Sequence, residues 1–254
     1  MIHYNNNNGI QTITLDTNEN NSFDLNAFAS LDSTLVNAKS EKSKVLIIRS
    51  AREKIFSIGL NLAQLSDKPT EATLQEFMNY FYGILEKIYT YPTPVIAEVS
   101  GHAMGYGAMI ALASDFRFGL EGMRIGLPEV KIGIRVPSFI AMLLADIIGA
   151  KSASEHILWG NAFKTSEALD LGLYHEMHPD ANKLRESVDK YVNRLIKNSI
   201  SAMVSSKAAL RELTSKRTSL IEKDIAATLS SLQSADAKEG IAASVAGRRP
   251  EFSF

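Results

Sequence analysis

The sequence predicts an α/β fold in which short strands alternate with amphipathic helices. Residues 10–15, 44–50 and 94–100 are runs rich in β-branched residues, bounded by polar residues, glycine or proline. The last two runs are almost continuously apolar, which is typical of strands covered on both faces. An apolar stripe with helical spacing runs through residues 71–90, and the patterns after Pro137 are mostly helical.

The strands near residues 45 and 95 begin units of similar design, because a glycine-containing loop and a helical pattern follow each of them. This weak repeat indicates that a strand-and-helix unit is used more than once. Two further apolar stripes, in residues 184–196 and 221–232, predict helices. We therefore expect an α/β core over residues 1–190 and a helical part over residues 191–254. The four asparagines at positions 5–8 are expected to form a local turn.

Composition excludes several classes of protein. A hydrophobic fraction of 45% in 254 residues fills a sizeable core, and a net charge of −1 gives no sign of a surface for nucleic acid. The absence of cysteine excludes disulfides and thiolate chemistry, and no histidine pair has HExxH spacing, so we expect no metal site. No apolar run approaches the ~18 residues of a membrane span. The first residues lack the features of a signal peptide, and the expected location is cytoplasmic.

Two glycine-containing segments are the candidates for chemistry. They are FSIGLNL at residues 56–62 and SGHAMGYGAM at residues 100–109, and each follows a predicted strand. Glycines at a strand-to-helix turn can leave backbone N–H groups unpaired, and the start of a helix adds positive potential. An oxyanion can be bound in this way without a charged side chain. Glycine spacing alone favours a purely structural turn, so the remaining motifs must decide whether these two segments have a catalytic role.

Five segments, taken in order, resemble motifs of the crotonase (enoyl-CoA hydratase/isomerase) superfamily. They are FSIGLNL at 56–62, PVIAEVSGHAMGYG at 94–107, SDFRF at 114–118, GLPEVKIGI at 126–134 and DAKEGIAASVAGRRPEF at 236–252. The resemblance runs from about residue 10 to residue 252. It implies a spiral of repeated ββα units that holds the acyl-CoA site within residues 1–190. It also implies a helical C-terminal region, residues 191–254, through which subunits form a homo-trimer or hexamer.

The resemblance implies that two backbone N–H groups bind the thioester carbonyl oxygen. By position these belong to Leu60 and Tyr106. Family members usually have glycine where Tyr106 stands, but any residue except proline supplies an N–H, and the question that remains is where the phenol ring fits. The neighbouring residues implied to bind substrate are Ile58, Gly59, Gly105 and Gly107.

Glu129 matches the position of the catalytic carboxylate of the family. Taken alone, a glutamate after Pro128 is more commonly a solvated loop residue or a residue in the first turn of a helix. The residues around it are strongly apolar, however, which predicts a desolvated carboxylate with a raised pKa, suited to act as a base. These neighbours are Ile125, Leu127, Val130, Ile132 and Ile134.

Met109 is the most informative departure from the hydratases of the family, which have a second glutamate there to hold a water molecule. Isomerases that convert 3-enoyl-CoA to 2-enoyl-CoA have an apolar residue at this place, and the stretch GIRVPSF at 133–139 is also similar to them. One base suffices to move a proton from C2 to C4. The resemblance thus implies an isomerase of fatty-acid metabolism. The alternatives are an enoyl-CoA hydratase or another reaction of the superfamily, or a catalytically weak protein that binds CoA esters.

Several other polar residues have more than one interpretation. Arg135 is a solvated loop residue, a partner of Glu129 or a contact for an acidic acyl group. Arg248 and Arg249 lie where basic residues of the family meet the phosphates of CoA, whereas Lys216 and Arg217 are expected on a solvated helix face. Asp115 is expected to be structural. Acyl-CoA is the expected substrate, and no separate cofactor is expected.

Overall fold

The computed structural model describes residues 1–66, 70–212 and 219–252. Lys216 and Arg217 lie outside the described residues. The strands are β1 (Ile2–Asn7), β2 (Ile10–Leu15), β3 (Val45–Ser50), β4 (Lys54–Ser57), β5 (Val95–Val99), β6 (Gly101–Met104), β7 (Phe116–Leu120), β8 (Ile125–Gly126) and β9 (Glu176–His178). The α-helices are α1 (Leu25–Ser40), α2 (Leu62–Ser66), α3 (Glu71–Tyr89), α4 (Tyr106–Ala113), α5 (Ser138–Ile148), α6 (Ala150–Trp159), α7 (Thr165–Asp170), α8 (Ala181–Leu195), α9 (Ile200–Glu212), α10 (Leu220–Leu232) and α11 (Ala235–Val245). A 3-10 helix, η1, spans Glu129–Ile132.

The strands form two sheets that are linked by a repeated connection. Within the described ranges, a six-stranded sheet has the order β1-β2-β3-β5-β7-β9 and a three-stranded sheet has the order β4-β6-β8. The same connection occurs three times: a strand of the large sheet (β3, β5 or β7) is followed by a strand of the small sheet (β4, β6 or β8). One or more helices come after each such pair. All pairs except β1 with β2 are parallel. This arrangement confirms the α/β fold with repeated ββα units.

The predicted strands and helices have counterparts in the structure. The runs at 10–15, 44–50 and 94–100 are β2, β3 and β5, and the stripe at 71–90 is α3. The apolar character of β3 and β5 is explained by packing on both faces of the large sheet. One face meets the main core, whereas Val45, Ile47 and Ile96 pack against Leu184 and other residues of α8 on the opposite face.

The asparagine-rich segment near the N-terminus is mainly a strand, so the expected turn over residues 5–8 is wrong. Asn5, Asn6 and Asn7 belong to β1 and pair with β2, with Asn7 opposite Ile10. The turn is confined to Asn8 and Gly9, which have φ values of 53° and 88°. Positive φ at both central residues is typical of a two-residue hairpin, and pairing with β2 overrides the weak strand preference of asparagine.

The helices near the C-terminus pack on the same core as the sheets. The main cluster of buried apolar residues includes Ile221 and Leu232 of α10 and Ile241 of α11. Position 190, the expected end of the α/β core, lies within α8. No helix in the described ranges has the length and apolar character needed to cross a bilayer.

Candidate active site

A cavity of about 660 Å³ lies where both glycine-containing segments meet η1 and the helices α3, α10 and α11. Six of the predicted site residues line it: Ile58, Leu60, Gly105, Tyr106, Met109 and Glu129. The other predicted residues, Gly59, Gly107, Arg248 and Arg249, are not among its lining residues.

The first glycine-containing segment is held by hydrogen bonds on both sides of Leu60. Phe23 donates its N–H to the carbonyl of Gly59 at 2.9 Å and accepts from the N–H of Asn61 at 2.9 Å. The hydroxyl of Ser57 donates to the carbonyl of Asn21 and accepts from the N–H of Gly59. The hydrogen bonds with Phe23 use backbone groups of Gly59 and Asn61, the two neighbours of Leu60. They hold the segment in place but do not involve the N–H of Leu60.

Gly59 and Gly105 bring the two segments into contact. Both have positive φ values, 104° and 53°. A Cβ atom on Gly59 would lie 3.2 Å from the N atom of Tyr106, and one on Gly105 would lie 3.3 Å from Oε1 of Glu129. A side chain at either position would therefore strain the backbone and crowd the groups of the site.

Tyr106 is the first residue of α4, where a helix leaves backbone N–H groups without partners inside the helix. Its phenol ring points into the core, which shows where the ring fits. The ring centroid lies 5.1 Å from that of Phe23, 4.9 Å from that of Phe28 and 4.7 Å from that of Phe81. The hydroxyl donates to the carbonyl oxygen of Phe81 at 3.0 Å. The ring thus anchors the start of α4 to α1 and α3.

The N–H groups of Leu60 and Tyr106 remain available to a ligand. Neither donates a hydrogen bond to another residue in the part of the chain that the structure describes. Both residues line the same cavity, at the contact between the two segments. That the two N–H groups converge on one oxygen stays a prediction.

Glu129 begins η1, and only 9% of its surface is exposed. Burial raises the pKa of this carboxyl to about 7, although a hydrogen bond from its own backbone N–H acts in the opposite direction. Its Oε2 atom is buried and has no hydrogen-bond partner among the described residues. A carboxylate in this setting is a stronger base than an exposed glutamate and is free to accept a proton.

Met109, where the family resemblance implies a second glutamate in hydratases, places an apolar side chain in the site. It lies in α4, is 2% exposed, and lines the cavity. Among the lining residues that the structure describes, Glu129 is the single carboxylate. The described lining of the cavity therefore offers one carboxylate beside the unpaired N–H of Tyr106.

Gly107 and the C-terminal arginines lie outside the cavity. A Cβ on Gly107 would lie 2.4 Å from the carbonyl oxygen of Ser57, so this glycine permits close packing of α4 on β4. Arg248 forms two hydrogen bonds with Glu239, at 2.6 and 2.8 Å, and Arg249 is exposed. Contact of Arg248 and Arg249 with the phosphates of CoA stays a prediction.

Arg135 pairs with Asp224 and not with Glu129. Its Nη2 atom lies 3.2 Å from Oδ1 of Asp224 and donates to the hydroxyl of Ser138 at 2.7 Å. Arg135 also lines the cavity. The interpretation as a partner of Glu129 is therefore wrong, because Asp224 is the carboxylate that pairs with Arg135.

Several lining residues could not be assigned to the site from the sequence. The helical stripes in residues 71–90 and 221–232 predict core positions, and the structure shows that some of these positions face the cavity. They are Met78, Phe81, Thr228 and Leu232, joined by Val245 at the end of α11. A periodic pattern identifies the buried face of a helix but does not distinguish core from cavity.

Asp115 has a structural role, as expected. It accepts hydrogen bonds from the N–H of Val95 at 2.7 Å, from Arg211 at 2.6 Å and from Lys207. It thereby ties α9 to the start of β5. No group of three or more potential metal ligands occurs in the residues that the structure describes.

Comparison with known proteins gives consistent results. A curated relative from Thermus thermophilus, named putative enoyl-CoA hydratase, is 34% identical over 144 residues, which cover 56% of this chain and 56% of the relative. A relative from Mycosarcoma maydis, named enoyl-CoA isomerase/hydratase, is 35% identical over 143 residues, or 56% of this chain and 52% of the relative. The match thus spans about half the length of these curated relatives.

A solved structure of an enoyl-CoA hydratase from Bacillus halodurans superposes with a TM-score of 0.89 and 24% identity. The superposition covers 95% of this chain and 99% of the other, and it supports the fold. The family model for enoyl-CoA hydratase/isomerase matches residues 5–253, almost the entire sequence. The chain belongs to the enoyl-CoA hydratase/isomerase family.

Proposed function

We propose that this chain moves the double bond of a 3-enoyl-CoA thioester to the 2,3 position. One observation carries the proposal: Glu129 is the single carboxylate among the described lining residues, and it lies beside Gly105 at the start of α4. Membership of the family supports an acyl-CoA thioester as the substrate. A double-bond shift needs one base that removes a proton and returns it, and one site that holds the intermediate charge.

The proposed reaction has two proton transfers. Glu129 removes a proton from C2, and the electron pair moves onto the thioester oxygen as the enolate forms. The N–H groups of Leu60 and Tyr106 bind this oxygen, and each such donor is worth roughly 2.7–4 kcal/mol of barrier in other enzymes. The thioester carbonyl then re-forms, the electron pair between C1 and C2 becomes the C2–C3 double bond, and the pair of the original C3–C4 double bond takes the proton from Glu129 onto C4. Atoms and charge balance without a cofactor.

The environment of Glu129 supports this role. A carboxyl whose burial raises its pKa to about 7 gains basicity over an exposed glutamate, yet half of the molecules still have the ionised form at that pH. The same group is then a competent acid once it holds the proton. A base that must both accept and return a proton works best when its pKa lies near the working pH.

Hydration of a 2-enoyl-CoA is the alternative, and the name of the Thermus relative is the reason to test it. Addition of water needs activation of the oxygen and delivery of a proton to carbon, which profits from a second acid/base group. Met109 supplies none. A third alternative is a catalytically weak homologue that only binds CoA esters.

The test uses the native protein with a 3-enoyl-CoA and, separately, with a 2-enoyl-CoA. We expect isomerisation of the 3-enoyl-CoA and little hydration of the 2-enoyl-CoA. The absorbance of the conjugated thioester measures both reactions. Glu129→Gln should lower kcat by about 10²–10⁴-fold, because the amide keeps the volume but cannot act as a base. The affinity for a saturated acyl-CoA should remain largely intact. Glu121→Gln, at an exposed carboxylate outside the cavity, is the matched control.

Contrary results separate the alternatives. Rapid hydration of the 2-enoyl-CoA without turnover of the 3-enoyl-CoA would mean that another residue replaces the missing glutamate. Binding of CoA esters without either reaction would identify a binding protein. Met109→Glu should not accelerate isomerisation, and any gain in hydration would show the effect of a second carboxylate.

A further inference from the structure

Arg135 is a cation of the cavity that the proposed reaction does not use. Its side chain is 33% exposed although it lines a mainly apolar part of the cavity. Only Nη2 has protein partners, Ser138 and Asp224. Arginine has five N–H groups, and those on Nε and Nη1 make no hydrogen bond to another residue in the described ranges. Part of the guanidinium is therefore free to bind a ligand.

Asp224 does not cancel the charge of Arg135. Its carboxylate is 1% exposed and accepts from the backbone N–H groups of Ser138 and Phe139, at 3.0 and 2.9 Å. These are the first residues of α5, where the helix contributes positive potential. One carboxylate thus faces both a guanidinium and a helix N-terminus. Asp224 therefore divides its acceptor capacity between Arg135 and the start of α5.

Exposure indicates which end of the cavity holds the acyl chain. Asn20 and Ala63 are exposed, and Ile58 is 41% exposed, so they form the outer rim. Met78 and Thr228 are 1% and 4% exposed and lie at the inner end. The charged CoA portion requires water and must leave over the rim, which directs the acyl chain inward.

Arg135 borders the inner end next to Thr228, while a third of its side chain stays exposed. Its partner Asp224 precedes Thr228 by four residues on α10, so the two side chains share one face of that helix. Asp224 is itself bonded to the start of α5. An acyl chain that passes Glu129 and continues inward therefore ends near the free N–H groups of Arg135.

We propose that the acyl chain of the substrate ends in a carboxylate and that Arg135 binds this carboxylate. The substrate class is then the CoA monothioester of an unsaturated dicarboxylic acid. A methyl terminus would displace water from guanidinium N–H groups that have no protein partner and would give them no acceptor in return, which is unfavourable, whereas a carboxylate accepts from them. The inference rests on the proposed function for the position of the double bond, but binding of the terminal carboxylate is independent of catalysis.

Saturated esters test the binding without any reaction. Calorimetric titration would compare hexanoyl-CoA with the monothioester of adipic acid, and octanoyl-CoA with that of suberic acid. We expect the carboxylate-bearing ester to bind about tenfold more tightly in at least one pair, as an ionic hydrogen bond in a partly enclosed site allows. Arg135→Met should abolish this preference, and Arg135→Lys should retain part of it. Arg194→Met, at an exposed arginine of α8, should leave it unchanged.

Equal dissociation constants within both pairs for the native protein would overturn the proposal, and this comparison needs no variant. A preference that persists in a folded Arg135→Met protein would overturn it as well, because the carboxylate would then bind elsewhere. Failure of the proposed function has a different signature. The preference would remain, but neither a 3-enoyl-CoA nor its carboxylate-bearing counterpart would be isomerised.

Discussion

Glu129 shows how one residue exchanges stability for reactivity. Its apolar neighbours in sequence predict desolvation, and the structure places the carboxyl at the start of η1 with an unpartnered Oε2 atom. This part of the site could be predicted because the environment is mostly local. The contact with Gly105 could not, because it depends on how two segments distant in sequence pack together.

Replacement of Glu129 by glutamine should stabilise the protein at neutral and alkaline pH. The unfolded carboxyl loses its proton near pH 4.5, whereas the folded one keeps it up to about pH 7. Between these values the folded state holds the additional proton, so stability falls as the pH rises through this window. A change of pKa from 4.5 to about 7 corresponds to roughly 3 kcal/mol.

Urea unfolding at pH 4.5 and at pH 8 measures this effect. The stability of Glu129→Gln relative to the native protein should increase between the two pH values, by up to about 3 kcal/mol. Glu121→Gln is the control and should follow the native protein. An unchanged difference between Glu129→Gln and native protein at both pH values would show that the carboxyl is not desolvated.

Tyr106 marks the limit of residue-level prediction. Its backbone N–H could be assigned from position, since any residue but proline supplies one. The place of its ring could not, because the ring packs against Phe23, Phe28 and Phe81 from two other segments, the start of α1 and α3. Contacts of this kind depend on the assembled fold and leave no periodic pattern in the sequence.

At the scale of elements, the sequence predicts the long and strongly patterned segments. α3 has a clear pattern because its apolar positions follow one helical period over 19 residues, and β3 and β5 stand out as almost continuously apolar runs. β4, β6 and β8 have four, four and two residues, which is too short for a recognisable period. They are strands because they pair with one another across the small sheet, and only the family resemblance implied them.

Asp115 connects two elements, so its loss should loosen the attachment of α9. Its carboxylate lies between Lys207, which is largely buried, and Arg211, whose guanidinium lies 3.8 Å from the ring centroid of Tyr89. Asp115→Ala leaves the ammonium group of Lys207 without this counter-charge. Removal of one partner of a buried ion pair costs about 3–5 kcal/mol.

A double variant checks the physical cause. Asp115→Ala with Lys207→Met removes both charges and should recover at least about 1 kcal/mol of the lost unfolding free energy, because no unpaired ammonium group remains. Chemical denaturation of the native protein and both variants measures this difference. A loss below about 0.5 kcal/mol for Asp115→Ala would show that the pair does not hold α9 in place.

At the scale of the whole molecule, the C-terminal helices complete the site as well as the core. Thr228 and Leu232 of α10 and Val245 of α11 line the cavity that the glycine-containing segments begin. The division at residue 190, expected from the strand and helix patterns, separates strand-rich from helical sequence, yet both parts contribute to one cavity. These patterns show where the type of secondary structure changes but do not show which elements share a site.

Exposed apolar side chains on helices from both sides of residue 190 bear on assembly. Leu158 and Trp159 of α6 are 74% and 61% exposed, and Leu210 of α9 is 62% exposed. Large apolar side chains that are exposed next to one another, such as Leu158 and Trp159, commonly mark surfaces that a partner covers. We predict that the chain forms a homo-trimer or a dimer of trimers, as the family resemblance of the C-terminal region implies.

Light scattering coupled to size exclusion should give three or six times the chain mass of 27.9 kDa at micromolar concentration.

Trp159 is the single tryptophan, so its emission reports on one surface alone. If subunits cover this surface, the emission should shift to the blue in the assembled protein and return to the red on dilution into monomers. Emission that does not change while the mass falls would place the interface on another face. A monomer mass at micromolar concentration would contradict the prediction of assembly itself.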